Sequence, residues 1–260
     1  MPSPSNAAPS WHDASCRPHT VFAAARLLRN GWRRTQRAPP PPRSRARAVT
    51  RVAAFPLGEG LRCELARRCA SFPRLAVANA GLARAAVAIV LLDGERASQE
   101  AALLLTQRAT GLRAHRGQWA LPGGRVDAGE TPTAAALREL GEEIGLFRSA
   151  DDVLGMLDDY PTRSGYLITP VVVWAGVQPT LVPRPQEVAS LHRVALADIV
   201  RPDAVDFVTI PESPRRVVRV RMNGHLVHAP TAAIVFQFRE LLCGRTTRVA
   251  DLEQPTFAWQ

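Results

Sequence analysis

The stretches "RAAVAIVLL" (84–92) and "AALLLTQR" (101–108) constrain the fold more than any other part of the chain. Each is apolar almost without interruption over strand length, and neither approaches the roughly 20 residues that span a bilayer. Strands of this kind are buried and need cover, which points to a central sheet with helices packed on it. A turn around "DGERASQE" joins the two, and "VLGMLDDY" (153–160) and "LITPVVVWAG" (167–176) are further strand candidates. "RVVRVRMNGHLVHAP" (216–230) carries Asn223-Gly224 between alternating runs, a hairpin signal. A short helix is expected over 58–72, where Leu61, Leu65 and Cys69 recur at helical spacing. Another is expected over "TAAIVFQFRELL" (231–242), with Thr231 as its N-cap. Strands outnumber helices and alternate with them irregularly, so the expected fold class is α/β with a mixed sheet.

Charge looks informative until it is located. The chain has 260 residues and a formal net charge of +10, but residues 1–51 hold ten Arg and one Asp, leaving about +1 for the rest. The segment 1–56 is rich in Pro, Ala, Ser and Arg, and "APPPPRSRARA" cannot form a packed core, so disorder is expected there. Within it, "HTVFAAARLLRNGWRR" has the acid-poor, Arg-rich character of an organellar presequence. An inert extension from an overlong start is the other reading. Location is accordingly cytoplasmic, or the mitochondrial matrix if the segment is a presequence. A nucleic-acid-binding arm has few aromatics to stack on bases, and nothing suggests a membrane partner. Cys16, Cys63, Cys69 and Cys243 show no zinc-like CxxC spacing, and reduced thiols are expected, although Cys63 and Cys69 are near enough in sequence to bridge.

The chemistry lies in "GGRVDAGETPTAAALRELGEEIGL", Gly123 to Leu146. Thr131-Pro132 is a good helix start and Gly145 a good left-handed stop. At 100° per residue Leu137, Leu140 and Ile144 share a face, and Glu139, Glu142 and Glu143 are expected opposite them, close enough to converge on one cation. An ordinary solvated acidic face is the alternative. Against it, none of the three has a basic partner four residues C-terminal; Arg138 precedes Glu142 by four, the weaker orientation. Magnesium suits such a site, because it takes one or two carboxylates plus waters and phosphates.

Gly124, five residues, Glu130, seven residues, then Arg138-Glu139-Leu140-x-Glu142-Glu143-x-Gly145-Leu146 is similar to the Nudix box at every defined position. The resemblance implies an α/β/α sandwich over roughly residues 84–245, preceded by a helical segment at 57–83 and followed by a tail at 246–260. It implies hydrolysis of a nucleoside diphosphate linked to another moiety, with Mg2+ or Mn2+. Carried over by residue, Glu139 and Glu143 are the main metal ligands. Glu142 is a third ligand or the group that orients and deprotonates the attacking water. Arg138 holds the glutamates in position, and Gly123 and Gly124 let the backbone approach metal and phosphate. Glu130 sits just outside the helix, in reach of a structural role.

The residues before the box, "LLTQRATGLRAHRGQWALPGG" (104–124), resemble the extra signature of the coenzyme A diphosphatase branch. One position departs: Leu121 stands where that branch usually has Phe, with Trp119 beside it. Coenzyme A differs from most adenine dinucleotides by a 3′-phosphate, for which Arg108 and Arg113 are suitable bidentate partners. Each also has a bland reading as a surface ion pair, and His115 and Arg116 read as solvated loop residues. "TRSGYLITPVV" (162–172) and "PQEVA" (185–189) also look like segments of this branch; Glu187 is either a metal-site residue on a loop or structural. The implied partner is a small molecule, coenzyme A or an acyl-coenzyme A; oligomeric state, a homodimer included, is open. Two other readings stand: a Nudix hydrolase for ADP-ribose or NADH, and a non-catalytic module that binds a nucleotide. Because the tail precedes every expected core element, deleting residues 1–48 is expected to leave folding and hydrolysis unchanged. A truncated protein that fails to fold or turn over would make the tail part of the domain.

Overall fold

The structure, a computed structural model, describes residues 54–77, 81–95, 99–111 and 117–259. Val49–Gln260 form one compact unit. The expected presequence helix lies outside the described residues.

The two apolar runs form β1 (Ala83–Asp93) and β2 (Ala101–Arg108), paired antiparallel with Leu91 opposite Leu103. On its other side β1 runs parallel to β7 (Tyr166–Gly176), from Ala83↔Tyr166 onward. This is the crossover that makes the sheet mixed, as expected. Around these strands lie β3 (Trp119–Ala120) and β8 (Val188–Ala195) on β2, the short β4 (Gly123–Arg125) on β1, and β5 (Val153–Met156) and β6 (Tyr160–Pro161) on β7.

Period-2 geometry explains why β1 has no polar face. Ala86, Ala88, Val90 and Leu92 pack with Ala135, Ala136, Leu140 and Ile144 of α2 (Pro132–Ile144). The intervening Ile89 and Leu91 pack into a second cluster with α1 (Glu59–Ser71) and, late in the chain, a helix at Thr231–Leu242. Both faces are therefore covered, and the layers are α/β/α. Leu65 and Cys69 are the buried face of α1, with Leu61 packed beside them. Cys63, Cys69 and Cys243 are all free thiols.

Between β8 and the last helix come α3 (Leu196–Ile199), β9 (Val205–Ile210), β10 (Ser213–Met222) and β11 (His225–His228). The last three form a separate antiparallel sheet on the second cluster, of which the sequence marks only the β10–β11 hairpin. Asn223 and Gly224, φ 47° and 79°, make its turn. The helix at Thr231–Leu242, α4, is where expected, but Pro230 is its N-cap. Thr231 is inside the helix, and its hydroxyl donates to the Trp119 carbonyl at 3.1 Å.

"VLGMLDDY" is not one strand. Leu157–Asp159 interrupt it, because Asp158 and Asp159 are buried and draw partners from distant elements. Asp158 receives Arg248 and Gln237; Asp159 receives Arg74 and Thr169. The residues after α4 pack against this body as well: Val249, Glu253 and Gln254 are buried. The Glu253 carboxylate pairs with Arg163 and Arg215, and the Arg163 hydrogen bond pulls its pKa down to about 2. Among the described residues no helix is long and apolar enough to cross a membrane.

Candidate active site

The site is built where α2 crosses β1 and β4. Thr131 caps the helix by accepting from the Ala134 N–H at 3.1 Å, Pro132 opens it, and Gly145 ends it at φ 65°. These caps fix the rotation of the helix and hence the direction of each glutamate.

That rotation differs from the expected one. Leu140 and Ile144 are buried, but so is Glu143, at 6% exposure. Ala135 and Ala136 are buried on the same arc, so the helix presents a wider face to the sheet than Leu137, Leu140 and Ile144 alone define. Glu143 accepts from the Gly123 N–H at 3.1 Å. Glu139 lies against Gly124, where an added methyl carbon would meet its Oε1 at 2.2 Å. Glu142 is one step further round the helix and exposed, with Arg138 Nη1 3.2 Å from its Oε2. The three glutamates therefore do not share a solvated face. Glu139 and Glu143 turn toward β4, and Glu142 stays outside. The small side chains of Ala135 and Ala136 were the available sequence signal for this broader contact.

Arg138 is held by all its donor nitrogens. Nε and Nη2 reach Glu130, Nη1 reaches Glu139 and Glu142, and Nη2 also reaches the Arg125 carbonyl. Glu130 also accepts from the Asp127 N–H at 3.0 Å, so it anchors both the loop and the arginine. A planar guanidinium suits this arrangement and an ammonium does not.

Glu139 and Glu143 open into a cleft of about 670 Å3, whose lining includes Gly123, Gly124, Arg108 and Glu187. Arg108 ends β2, and its buried Nε has no hydrogen-bond partner. Glu187, in the loop before β8, is steered by Arg184 at 3.1 Å. Trp119 forms a fixed part of the wall, with the ring of His192 4.4 Å and that of His225 4.7 Å away. Leu121 is buried and also lines the cleft. Arg113, His115 and Arg116 lie outside the described residues. The polar side chains of Thr162 and Ser164, within the branch-like segment 162–172, also line the cleft, as do those of Thr231 and Gln254, which lie far from the box and belong to no motif.

Burial pushes the Glu143 carboxyl up to about 7, with Glu139 and Glu187 adding to the rise and the Gly123 N–H and Arg108 opposing it. Glu139 is raised too, again mainly by burial. Three acids share the cleft with two arginines, Arg108 and Arg125, the second turned to the Tyr166 hydroxyl, so the donor set is rich in oxygen and still net negative. That fits a hard divalent cation. Among the described residues no group of three potential ligands is gathered into a ready cage. A cation would be held by one or two carboxylates, with water and phosphate completing its shell, which is magnesium's habit.

The NUDIX domain family matches residues 82–210, the span holding every element of this site except those after β9. An uncharacterized Nudix hydrolase, NudL, from Photorhabdus laumondii is 33% identical over 141 residues, covering 53% of this chain and 75% of the relative. The chain belongs to the Nudix family. A NudL protein from Cronobacter sakazakii is 42% identical over 106 residues, covering 39% of this chain and 54% of that one. Among solved structures, a MutT/nudix family protein from Enterococcus faecalis aligns with a TM-score of 0.46 at 17% identity, over 62% of each chain. Nudix hydrolases act on small molecules and generally use divalent cations such as Mg2+ or Mn2+. Helix α2 and residues Gly123 and Gly124 of β4 both lie in the matched span, and together they form one side of the cleft.

Proposed function

We propose that this Nudix protein is a diphosphatase, dependent on Mg2+ or Mn2+, that splits coenzyme A or an acyl-coenzyme A. Water adds across the phosphoric anhydride: one P–O bond breaks, and the products are adenosine 3′,5′-bisphosphate and (acyl-)4′-phosphopantetheine. The observation that carries the reading is one cleft of nucleotide size holding Glu139, Glu143, Glu187 and Arg108, whose buried Nε has no partner among the described residues. The resemblance of residues 104–124 to the coenzyme A diphosphatase signature directs it to this substrate.

Glu139 and Glu143 would hold the cation, with Glu187 near enough to influence both. A bound divalent cation acidifies water and neutralises charge developing on the diphosphate. Arg138 keeps Glu139 oriented. Glu142, outside the cleft lining, acts through Arg138 rather than as a third ligand. Arg108 shares the cleft with the carboxylates, so its guanidinium serves the diphosphate. Recognition of the 3′-phosphate then falls to Arg113.

Substrate profiling with Mg2+ and Mn2+ tests this. Coenzyme A should be preferred over dephospho-coenzyme A by roughly tenfold to a hundredfold, the value of one charge-assisted contact. Arg113→Ala should shrink that preference, while Arg108→Ala should slow every diphosphate alike. Equal wild-type rates on the two coenzymes would refute the 3′-phosphate argument. Faster hydrolysis of ADP-ribose or NADH would move the protein to another nucleoside diphosphate derivative.

A further inference from the structure

Three buried side-chain polar atoms among the described residues lack a hydrogen-bond partner: Nε of Arg108, Nε of Arg219 and Oε1 of Gln254. Two of these three residues, Arg108 and Gln254, line the same cleft. Buried polar atoms are nearly always satisfied, so an orphan donor and an orphan acceptor at one cleft call for a common cause. Arg108 belongs to the diphosphate reading. Gln254 lies beyond the stretch that matches the family, and nothing so far assigns it a role.

Gln254 is 2% exposed, and its backbone is fixed at every point. Its N–H donates to Glu253 Oε1 at 3.0 Å, and its carbonyl accepts from Trp259 Nε1 at 2.9 Å. Glu253 is tied to Arg163 and Arg215, and Arg163 in turn sits over the Trp259 ring at 5.2 Å. Several donors around it are turned to other acceptors. The Tyr160 hydroxyl donates to the Leu252 carbonyl at 2.9 Å, and the two arginines serve Glu253. Thr162 is engaged with Ser164 and the Tyr166 carbonyl. An acceptor on a fixed backbone, without a donor among the described residues, is a preorganised half of a ligand contact.

We infer that Gln254 is a specificity-determining residue, whose side-chain carbonyl accepts a hydrogen bond from a neutral N–H on one of the two groups joined by the diphosphate. The inference rests on the functional reading only in taking the ligand to be a nucleoside diphosphate derivative. An acceptor suits an amide N–H or an exocyclic amine. Coenzyme A carries both, in its pantetheine arm and on its adenine.

Three substrates separate the two sources on the full chain: coenzyme A, its hypoxanthine analogue, which lacks the exocyclic amine, and ADP-ribose, which lacks the amides. Gln254→Leu should lower kcat/KM about tenfold to a hundredfold, mainly through KM, on substrates that carry the donor. It should leave the one substrate without that donor unaffected. Its melting temperature should change little, because removal of an unsatisfied oxygen offsets loss of the side chain's hydrogen bond with Tyr160. If the adenine amine is the donor, the hypoxanthine analogue is the insensitive substrate; if a pantetheine amide, ADP-ribose is. Equal losses on all three, or none on any, would overturn the inference. Should the variant fail to fold, the wild type alone decides: it must disfavour the hypoxanthine analogue against coenzyme A, or ADP-ribose against dephospho-coenzyme A, by a similar factor. A wild type that hydrolyses none of the panel defeats the functional reading instead. Equilibrium binding of adenosine 3′,5′-bisphosphate and of 4′-phosphopantetheine then tests Gln254, and unchanged affinity for both in Gln254→Leu overturns its role.

Discussion

Glu143→Gln is expected to lower turnover by two orders of magnitude or more, yet to make the cation-free protein more stable. The loss is on the scale seen when a group that stabilises transition-state charge is removed. The gain follows from burial. A carboxyl raised to about 7 in the folded chain is charged at neutral pH against the cost of its own desolvation. An acid whose folded pKa lies above its unfolded value does not destabilise at low pH. It does so progressively as pH rises from the ordinary carboxylate range to about 7, by on the order of 2–3 kcal/mol. Gln keeps an oxygen for the Gly123 N–H and removes the charge. In the presence of Mg2+ the order should reverse, because only the wild type gains from binding. Melting curves at pH 5 and 8, with EDTA and with Mg2+, measure this. Near-normal metal-dependent turnover in Glu143→Gln would sink its assignment as a ligand. Glu142→Gln serves as the control; its exposed side chain should leave the EDTA melting curve unmoved.

The adjacent glycines of β4 should fail in opposite ways. A methyl carbon on Gly123 would lie 2.2 Å from the Ala86 carbonyl oxygen and 2.6 Å from Val87 Cα, both backbone, at a φ of 151°. Nothing there can yield without opening the β1–β4 ladder. Gly123→Ala should therefore cost roughly 3 kcal/mol or more of stability. At Gly124 the obstructing atoms are the Glu139 carboxylate, the far end of a flexible side chain. It can swing aside, so Gly124→Ala should fold with a cost under about 1 kcal/mol. The displaced carboxylate no longer faces the cleft, and turnover should fall roughly tenfold to a hundredfold. Thermal melting and kcat measured together separate the two. A fully active Gly124→Ala would mean that Glu139 need not stand where it does.

Much of this was legible because it is local. The Thr131-Pro132 start and the Gly145 stop are written in neighbouring residues, and the helix follows them. The β2 boundaries and the α4 span were also readable, since apolar runs of those lengths have few other uses. What escaped depends on distant partners. The break after Met156 needs Arg74, Gln237 and Arg248, none of which marks "LDDY" as a loop. The inward turn of Glu143 depends on how closely α2 approaches β4, which is set by glycines twenty residues earlier. The short strands β3 and β4 carry no periodicity, and pairing with longer neighbours defines them. Gln254 has no motif at all; it becomes visible only as an atom without a partner.

The residues that complete the second hydrophobic cluster also complete the cleft. Helix α4 supplies Phe238 to the core and Thr231 and Ile234 to the cleft, and the segment after it supplies Val249 to one and Gln254 to the other. During synthesis, β1, β4, α2 and β7 leave the ribosome long before either piece is made. Until α4 arrives only α1 covers that face of their sheet, so the support beneath the carboxylates and the far wall of the cleft are completed in one late step.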